Sequence, residues 1–129
     1  MKKKFLIVIA DYYKDISISL LQSAKEVLPK NALIKVIKVP GVFEIPVTIS
    51  KNIKKYNAFL ALGCVIKGQT PHFDFISQAS TNAIMKLSIE NKKPIGNGII
   101  TCLNMQQAIT RKKKGREAAH AVLSVLLQK

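Results

Sequence analysis

Apolar positions along the chain alternate between two kinds of run, one strand-like and one with helical spacing. Phe5 to Ala10 is continuously apolar, as expected of a strand buried on both faces of a parallel sheet. Ile16 to Leu28 places Ile16, Leu20, Ala24 and Val27 on one helical face, and Pro29-Lys30-Asn31 ends it. Ala32 to Val39 alternates through Leu33, Lys35, Ile37 and Val39, a second strand, and Pro40-Gly41 marks a turn. Phe43 to Ile53 reads as a short helix. Ala58 to Ile66 is the most apolar run and forms the third predicted strand. Lys67 to Asp74 is polar and contains Gly and Pro, which predicts a loop with Asp74 as the N-cap of the next helix. That helix, Phe75 to Asn91, is expected to turn Ile76, Ala79, Ala83 and Leu87 inward. After Pro94 comes a fourth strand, Ile95 to Cys102. Asn104 and Gln107 have capping-box spacing at the head of Met105 to Arg111. A lysine run and Gly115 then lead to a last helix, Arg116 to Gln128, with Ala118, Ala119, Val122 and Leu126 inward.

Strictly alternating strands and helices predict an α/β three-layer sandwich. Its four-stranded parallel sheet would have right-handed crossovers and helices on both faces. With 129 residues and neither repeat nor linker, residues 1–129 are expected to form a single domain. Ligands of such sheets bind beyond the carboxyl ends of the strands. Here the segments leaving those ends begin at Asp11, Pro40, Lys67 and Leu103.

Composition is ordinary, with 48% hydrophobic and 22% charged residues, but the charge is not: 21 Lys and Arg against 7 Asp and Glu give +14. Such a surface attracts anions. A dedicated nucleic-acid binder would use Arg for bidentate contacts and aromatics for stacking. Only Arg111 and Arg116 are arginines and aromatics are 6%, so no nucleic-acid partner is expected and most lysines read as compositional bias. MKKKFLIVIAD starts like a signal peptide, but its apolar run ends at Asp11 with no small-residue cleavage site, so it reads as a strand. No stretch approaches the ~20 apolar residues that span a bilayer, and no membrane partner is expected. Cys64 and Cys102 both lie in apolar strands. Buried free thiols in a reducing compartment account for them, which points to a cytoplasmic protein. No Cys/His cluster has metal-ligand spacing.

The candidate chemistry gathers on the strand-end segments. In Lys67-Gly68-Gln69-Thr70, Gly68 would let backbone N–H groups turn toward an anion and Thr70 adds a hydroxyl. His72 follows, with an ordinary pKa of ~6.5 suited to proton transfer. The spacing is not that of a Walker loop, and no G-x-G-x-x-G supports dinucleotide binding. Glu44 opens a helix, where the dipole favours a carboxylate, or it accepts hydrogen bonds from substrate hydroxyls. Tyr12 and Tyr13 end the first strand, as packing or as a stacking surface for a flat ring. His120, mid-helix between alanines, reads as structural. Arg111 to Lys114 is a cationic cluster, either a solvated charge run or a phosphate contact.

PGVFEIP at Pro40 to Pro46 and LGCVIKGQTPHFDF at Leu62 to Phe75, followed by GNGIIT, QQAITR and GREAA, resemble the lumazine synthase family from about Phe5 to the C-terminus. The resemblance implies a flavodoxin-like fold. It also implies condensation of 5-amino-6-(D-ribitylamino)uracil with 3,4-dihydroxy-2-butanone 4-phosphate to a lumazine, phosphate and water, with no metal or redox cofactor. By the same resemblance Tyr12 stacks on the pyrimidine. Val42, Phe43 and Glu44 hold the ring and the ribityl chain, and the backbone of Cys64, Val65 and Ile66 reads the uracil edge. Gln69 and Thr70 form the phosphate-binding turn, His72 transfers protons, and Arg111 and Lys114 bind phosphate. Asn97 stands where many members carry Phe, Gln69 replaces a small residue, and the connection from Arg111 to Gly115 is shorter than usual. In this family the site lies between subunits, with Asn97, Arg111 and Lys114 supplied by the neighbour. The shortened connection and the short N-terminal arm predict a homopentamer rather than a larger shell. Two rivals are the archaeal riboflavin synthase type, which uses a similar fold, and a basic nucleic-acid-binding protein.

Overall fold

The most apolar runs form the centre of a parallel sheet, and everything else is arranged around them. The computed structural model describes residues 2–128. In chain order the elements are β1 (Lys4–Ala10), α1 (Lys14–Val27), β2 (Leu33–Val39), a 3-10 turn (Val42–Glu44), α2 (Ile45–Lys51), β3 (Ala58–Ile66), α3 (His72–Asn91), β4 (Ile95–Cys102), α4 (Met105–Arg111) and α5 (Gly115–Leu126). The sheet order is β2-β1-β3-β4 and every pairing is parallel. The α/β three-layer sandwich expected from the pattern is thus the observed one.

β1 and β3 are central, and their side chains are almost all buried. Alternation sends Phe5, Ile7, Ile9, Leu60, Leu62 and Cys64 to one face, against Ile16, Leu20 and Ala24 of α1 and Ala119 and Val122 of α5. Leu6, Val8, Ala10, Phe59 and Ala61 face the other way, against Ile45 and Ile49 of α2 and Ile84 of α3. Burial of large aliphatic and aromatic side chains, each contributing ~1.5–3 kcal/mol, holds both layers to the sheet. The edge strand β4 is covered unequally. Gly98, Ile100 and Cys102 are buried, whereas Asn97 and Thr101 on the opposite face are exposed.

Several boundaries depart from the sequence pattern. Asp74 is not an N-cap. α3 begins at His72 with Pro71 in the cap position, and the Phe75 N–H donates to the Pro71 carbonyl at 3.2 Å. Proline's fixed φ, here −71°, preorganises the entry. Asp74 instead lies in the first turn, where the helix dipole favours it. Of the residues expected inward on α3, Ile76, Ala83 and Leu87 are half-buried, with Ile76 and Leu87 packed against the core, and only Ala79 departs. Ser80 and Ile84 are its buried residues, while Ala79 is exposed. The segment read as one helix from Phe43 to Ile53 divides into the 3-10 turn and α2, because Pro46 suits only a helix start. At α4 the capping expectation holds: Asn104 Oδ1 accepts from the Gln107 N–H at 2.9 Å, and Gln107 Oε1 accepts from the Leu103 N–H at 2.8 Å.

Two close approaches fix the geometry near the strand ends. A Cβ on Gly63 would come within 2.9 Å of Val42 Cγ2, so the absence of a side chain lets the 3-10 turn sit directly on β3. At Gly115 a Cβ would collide with the Leu20 carbonyl oxygen, so α5 crosses α1 backbone to backbone. Among the described residues no helix is long and apolar enough to cross a membrane.

Candidate active site

The carboxyl end of the sheet carries a cleft of about 420 Å³ between the ends of β1 and β3, the 3-10 turn and the start of α3. This size suits a small organic ligand. Each wall has a local cause. Ser17 in the first turns of α1 donates its hydroxyl to the Ala10 carbonyl at 2.7 Å. That bond pins the start of α1 to the end of β1 and fixes Tyr12 and Tyr13 between them. The two rings meet edge to face, with centroids 4.9 Å apart and planes at 82°. Tyr12 is 74% exposed and Phe43 is 65% exposed, although both line the cleft. Two aromatic faces open to solvent are suited to receive a flat heterocycle. Burial first, then the neighbouring Cys64 and Tyr12, push the Tyr13 hydroxyl above its ordinary pKa, so it stays a neutral donor.

The 3-10 turn presents Phe43 and Glu44 because Val42 and Ile45 are buried beneath it. The Glu44 carboxylate reaches back over Gly41, with Oε1 3.2 Å from where a Cβ would stand. The Glu44 carbonyl accepts the Thr48 hydroxyl at 2.8 Å, which ties this residue into α2. The floor is the end of β3, through Cys64, Val65 and Ile66. Burial and then Cys102 raise the Cys64 thiol to about 12, so it is protonated and unreactive near neutrality. His72 lines the same cleft from the first turn of α3 and is exposed. Its ring is free to meet a ligand.

Thus Tyr12, Val42, Phe43, Glu44, Cys64, Val65, Ile66 and His72, singled out in the sequence, converge on one cleft. Gln69 and Thr70 lie on the exposed loop before it and line neither this cleft nor the next. Thr70 Oγ1 accepts the His72 N–H at 3.4 Å, a local turn contact. The role expected of Gly68 needs correction. No glycine has positive φ and a Cβ there would meet open space, so the turn itself does not require glycine.

Asn97, Arg111 and Lys114 line a second cleft with Thr101 and Glu117, at the β4 edge beside α4 and α5. The two clefts share no residue. Lys112, Lys113 and Lys114 do not form a loose loop. They are a helical turn, in which the Lys114 N–H donates to the Arg111 carbonyl at 3.0 Å and the Glu117 N–H to the Lys114 carbonyl at 3.1 Å. Lys114 Nζ lies 3.5 Å from a Glu117 carboxylate oxygen, and Arg116 pairs with Glu26 at 3.4 Å. Arg111 has no ion-pair partner among the described residues. His120 is exposed on α5 and lines neither cleft. Tyr13, weighed in the sequence as packing or a stacking surface, also lines the first cleft, whereas sequence reasoning passed over Ile76 there and Glu117 in the second. Glu117 had a signal in its spacing, three residues after Lys114 on a helix.

The family described as 6,7-dimethyl-8-ribityllumazine synthase matches residues 2–129. A 6,7-dimethyl-8-ribityllumazine synthase of Agrobacterium fabrum is 41% identical over 138 residues, covering 97% of this chain and 93% of its own. "6,7-dimethyl-8-ribityllumazine synthase 1" of Rhodopseudomonas palustris is 42% identical, covering 95% of this chain and 83% of its own. The enzyme of Corynebacterium kroppenstedtii is 38% identical, covering 91% and 79%. The chain therefore belongs to the 6,7-dimethyl-8-ribityllumazine synthase family.

Proposed function

We propose that the two clefts are complementary halves of the site in which this lumazine synthase condenses 5-amino-6-(D-ribitylamino)uracil with 3,4-dihydroxy-2-butanone 4-phosphate. The observation that carries this reading is the division of the candidate residues. Those suited to the pyrimidine and its polyol chain line one cleft, and the cations Arg111 and Lys114 line another on the far edge of the sheet, while Gln69 and Thr70 line neither. A second copy laying its β4 edge over the first cleft would bring Asn97, Arg111 and Lys114 opposite Tyr12, Phe43 and His72. This supports a homo-oligomer, and by family resemblance a pentamer. The buried free thiols support a reducing, cytoplasmic setting.

In this arrangement Tyr12 stacks on the uracil, and the Cys64–Ile66 backbone reads its edge. Glu44 accepts hydrogen bonds from the ribityl hydroxyls. An amine and a carbonyl then lose water to form an imine, phosphate leaves, and ring closure expels a second water. His72, which lines the aromatic cleft, carries protons in these steps, since an imidazole can serve as both acid and base. Arg111, with Lys114, stabilises the charge that develops on the departing phosphate, while Gln69 and Thr70 shape the turn beside it. Holding two substrates in register supplies much of the rate gain, since orientation alone is worth ~7–11 kcal/mol.

The direct test is an absorbance assay for lumazine formation from the two substrates. Turnover to the lumazine is expected, and no product from this pair would overturn the assignment. The shared site has its own test. His72→Ala and Arg111→Ala proteins, each impaired alone, should regain activity when co-assembled, because mixed rings contain intact clefts. No recovery would place the whole site within one chain.

A further inference from the structure

The phosphate-side cleft contains a carboxylate as well as cations. Glu117 lines it together with Arg111 and Lys114, and the same three residues line an adjoining cleft with Lys113 and Arg116. The Glu117 carboxylate lies 3.5 Å from Lys114 Nζ, and both side chains are at least half exposed. We infer that Glu117 lowers the affinity of this cleft for phosphate and so sets how readily the anion departs.

The physical argument has two parts. A bound phosphate and the Glu117 carboxylate compete for the same ammonium, so binding must first loosen the Lys114–Glu117 pair. The carboxylate also repels a dianion directly, and at separations of a few ångströms in a water-like dielectric a unit charge changes affinity several-fold. Arg116 offers no replacement, because Glu26 holds it. The proposed reaction converts a phosphate ester into free phosphate within this cleft. A cluster of Arg111 and Lys114 without the carboxylate would hold that product more tightly than turnover favours. Glu117 also sits in the first turn of α5, where the helix dipole stabilises an acid. A purely structural role is therefore the competing account.

The inference rests on reading this cleft as the phosphate subsite, and the experiment separates the two. Binding of inorganic phosphate to the assembled protein is measured by calorimetry, and as inhibition competing with the phosphorylated substrate. Wild type is compared with Glu117→Gln, Glu117→Asp and Arg111→Ala, each at two salt concentrations. Glu117→Gln should bind phosphate about three- to ten-fold tighter, with the difference shrinking as salt rises. The KM for the phosphorylated substrate should fall while that for the pyrimidine stays constant, and Glu117→Asp should resemble wild type. A structural role would lower the melting temperature without tightening phosphate. Unchanged or weaker phosphate binding by Glu117→Gln overturns the inference while leaving the subsite intact. If Arg111→Ala leaves phosphate affinity unchanged, the subsite reading itself fails.

Discussion

Tyr13 braces Tyr12: the two rings stand edge to face, 4.9 Å between centroids, with Tyr12 turned to solvent and Tyr13 half-buried beside Cys64. Edge-to-face pairs contribute ~0.5–1.5 kcal/mol beyond their buried area. Removing Tyr13 should therefore loosen the ring proposed to meet the pyrimidine. Tyr13→Ala is expected to raise the KM for the pyrimidine substrate about three- to ten-fold, close to the effect of Tyr12→Leu. Tyr13→Phe keeps the ring and should behave like wild type. Steady-state kinetics on the three variants checks this, and a large effect of Tyr13→Phe would move the role to the hydroxyl.

His72→Ala should lower turnover by ~10²–10⁴-fold, the usual worth of a general acid–base, and change substrate binding much less. Single-turnover kinetics with separately measured binding distinguishes the two. Turnover equal to wild type would remove His72 from proton transfer.

For Arg111→Ala the expectation is selective. The KM for the phosphorylated substrate should rise at least ten-fold, because a guanidinium bonded to phosphate is a strong charge-assisted contact. The KM for the pyrimidine should hardly move, since Arg111 lies outside the aromatic cleft. Equal losses for both substrates would contradict the division between the clefts.

Gly63 offers a test of how the fold holds the site. Gly63→Ala would place a methyl 2.9 Å from Val42 Cγ2 and 3.1 Å from Ala10 Cβ. Overpacking of this kind costs about 1–3 kcal/mol. Because Val42 carries Phe43 and Glu44, pyrimidine affinity should fall along with the denaturation midpoint. Denaturant titration and substrate binding measured on the same protein check the linkage.

Cys64 is expected to make stability fall at high pH. Its thiol is raised from 9.0 to about 12 by burial and then by Cys102. Between those values the folded chain keeps a proton that the unfolded chain has released. The unfolded state thus binds fewer protons, and stability declines as pH rises through this window. Comparing denaturation at about pH 8 and about pH 10.5, wild type should lose more than Cys64→Ala does. Equal losses would show that Cys64 does not carry the effect.

Much of this was legible in the sequence because its strongest signals are short-range. The unbroken apolar runs at Phe5–Ala10 and Ala58–Ile66 could only be central strands, and the four carboxyl ends then named the site segments. On α3 only Ala79 was misassigned, because that helix is weakly amphipathic. Ser80 and Ala79 are adjacent and similar in size, and only packing against α2 and the sheet decides which is buried. The start of α3 was misplaced because Asp74 is both a good cap and a good first-turn residue, and Pro71 resolved the choice. Glu117 was overlooked because its importance depends on Lys114 lying one helical turn away beside the β4 edge, and nothing local marks that edge as a cleft.

The backbone contact of Gly115 with Leu20 has a consequence for the cations that precede it. The Arg111–Gly115 segment is anchored at one end by the Asn104-capped α4 and at the other by the α1–α5 crossing. Between the anchors there is a single hydrogen-bonded turn and no slack. The entropy of gathering several like charges is therefore lost when the chain folds and not when an anion arrives. Lengthening this segment with flexible residues would convert a rigid charged corner into a tether. Anion affinity would then fall even though every cation was retained.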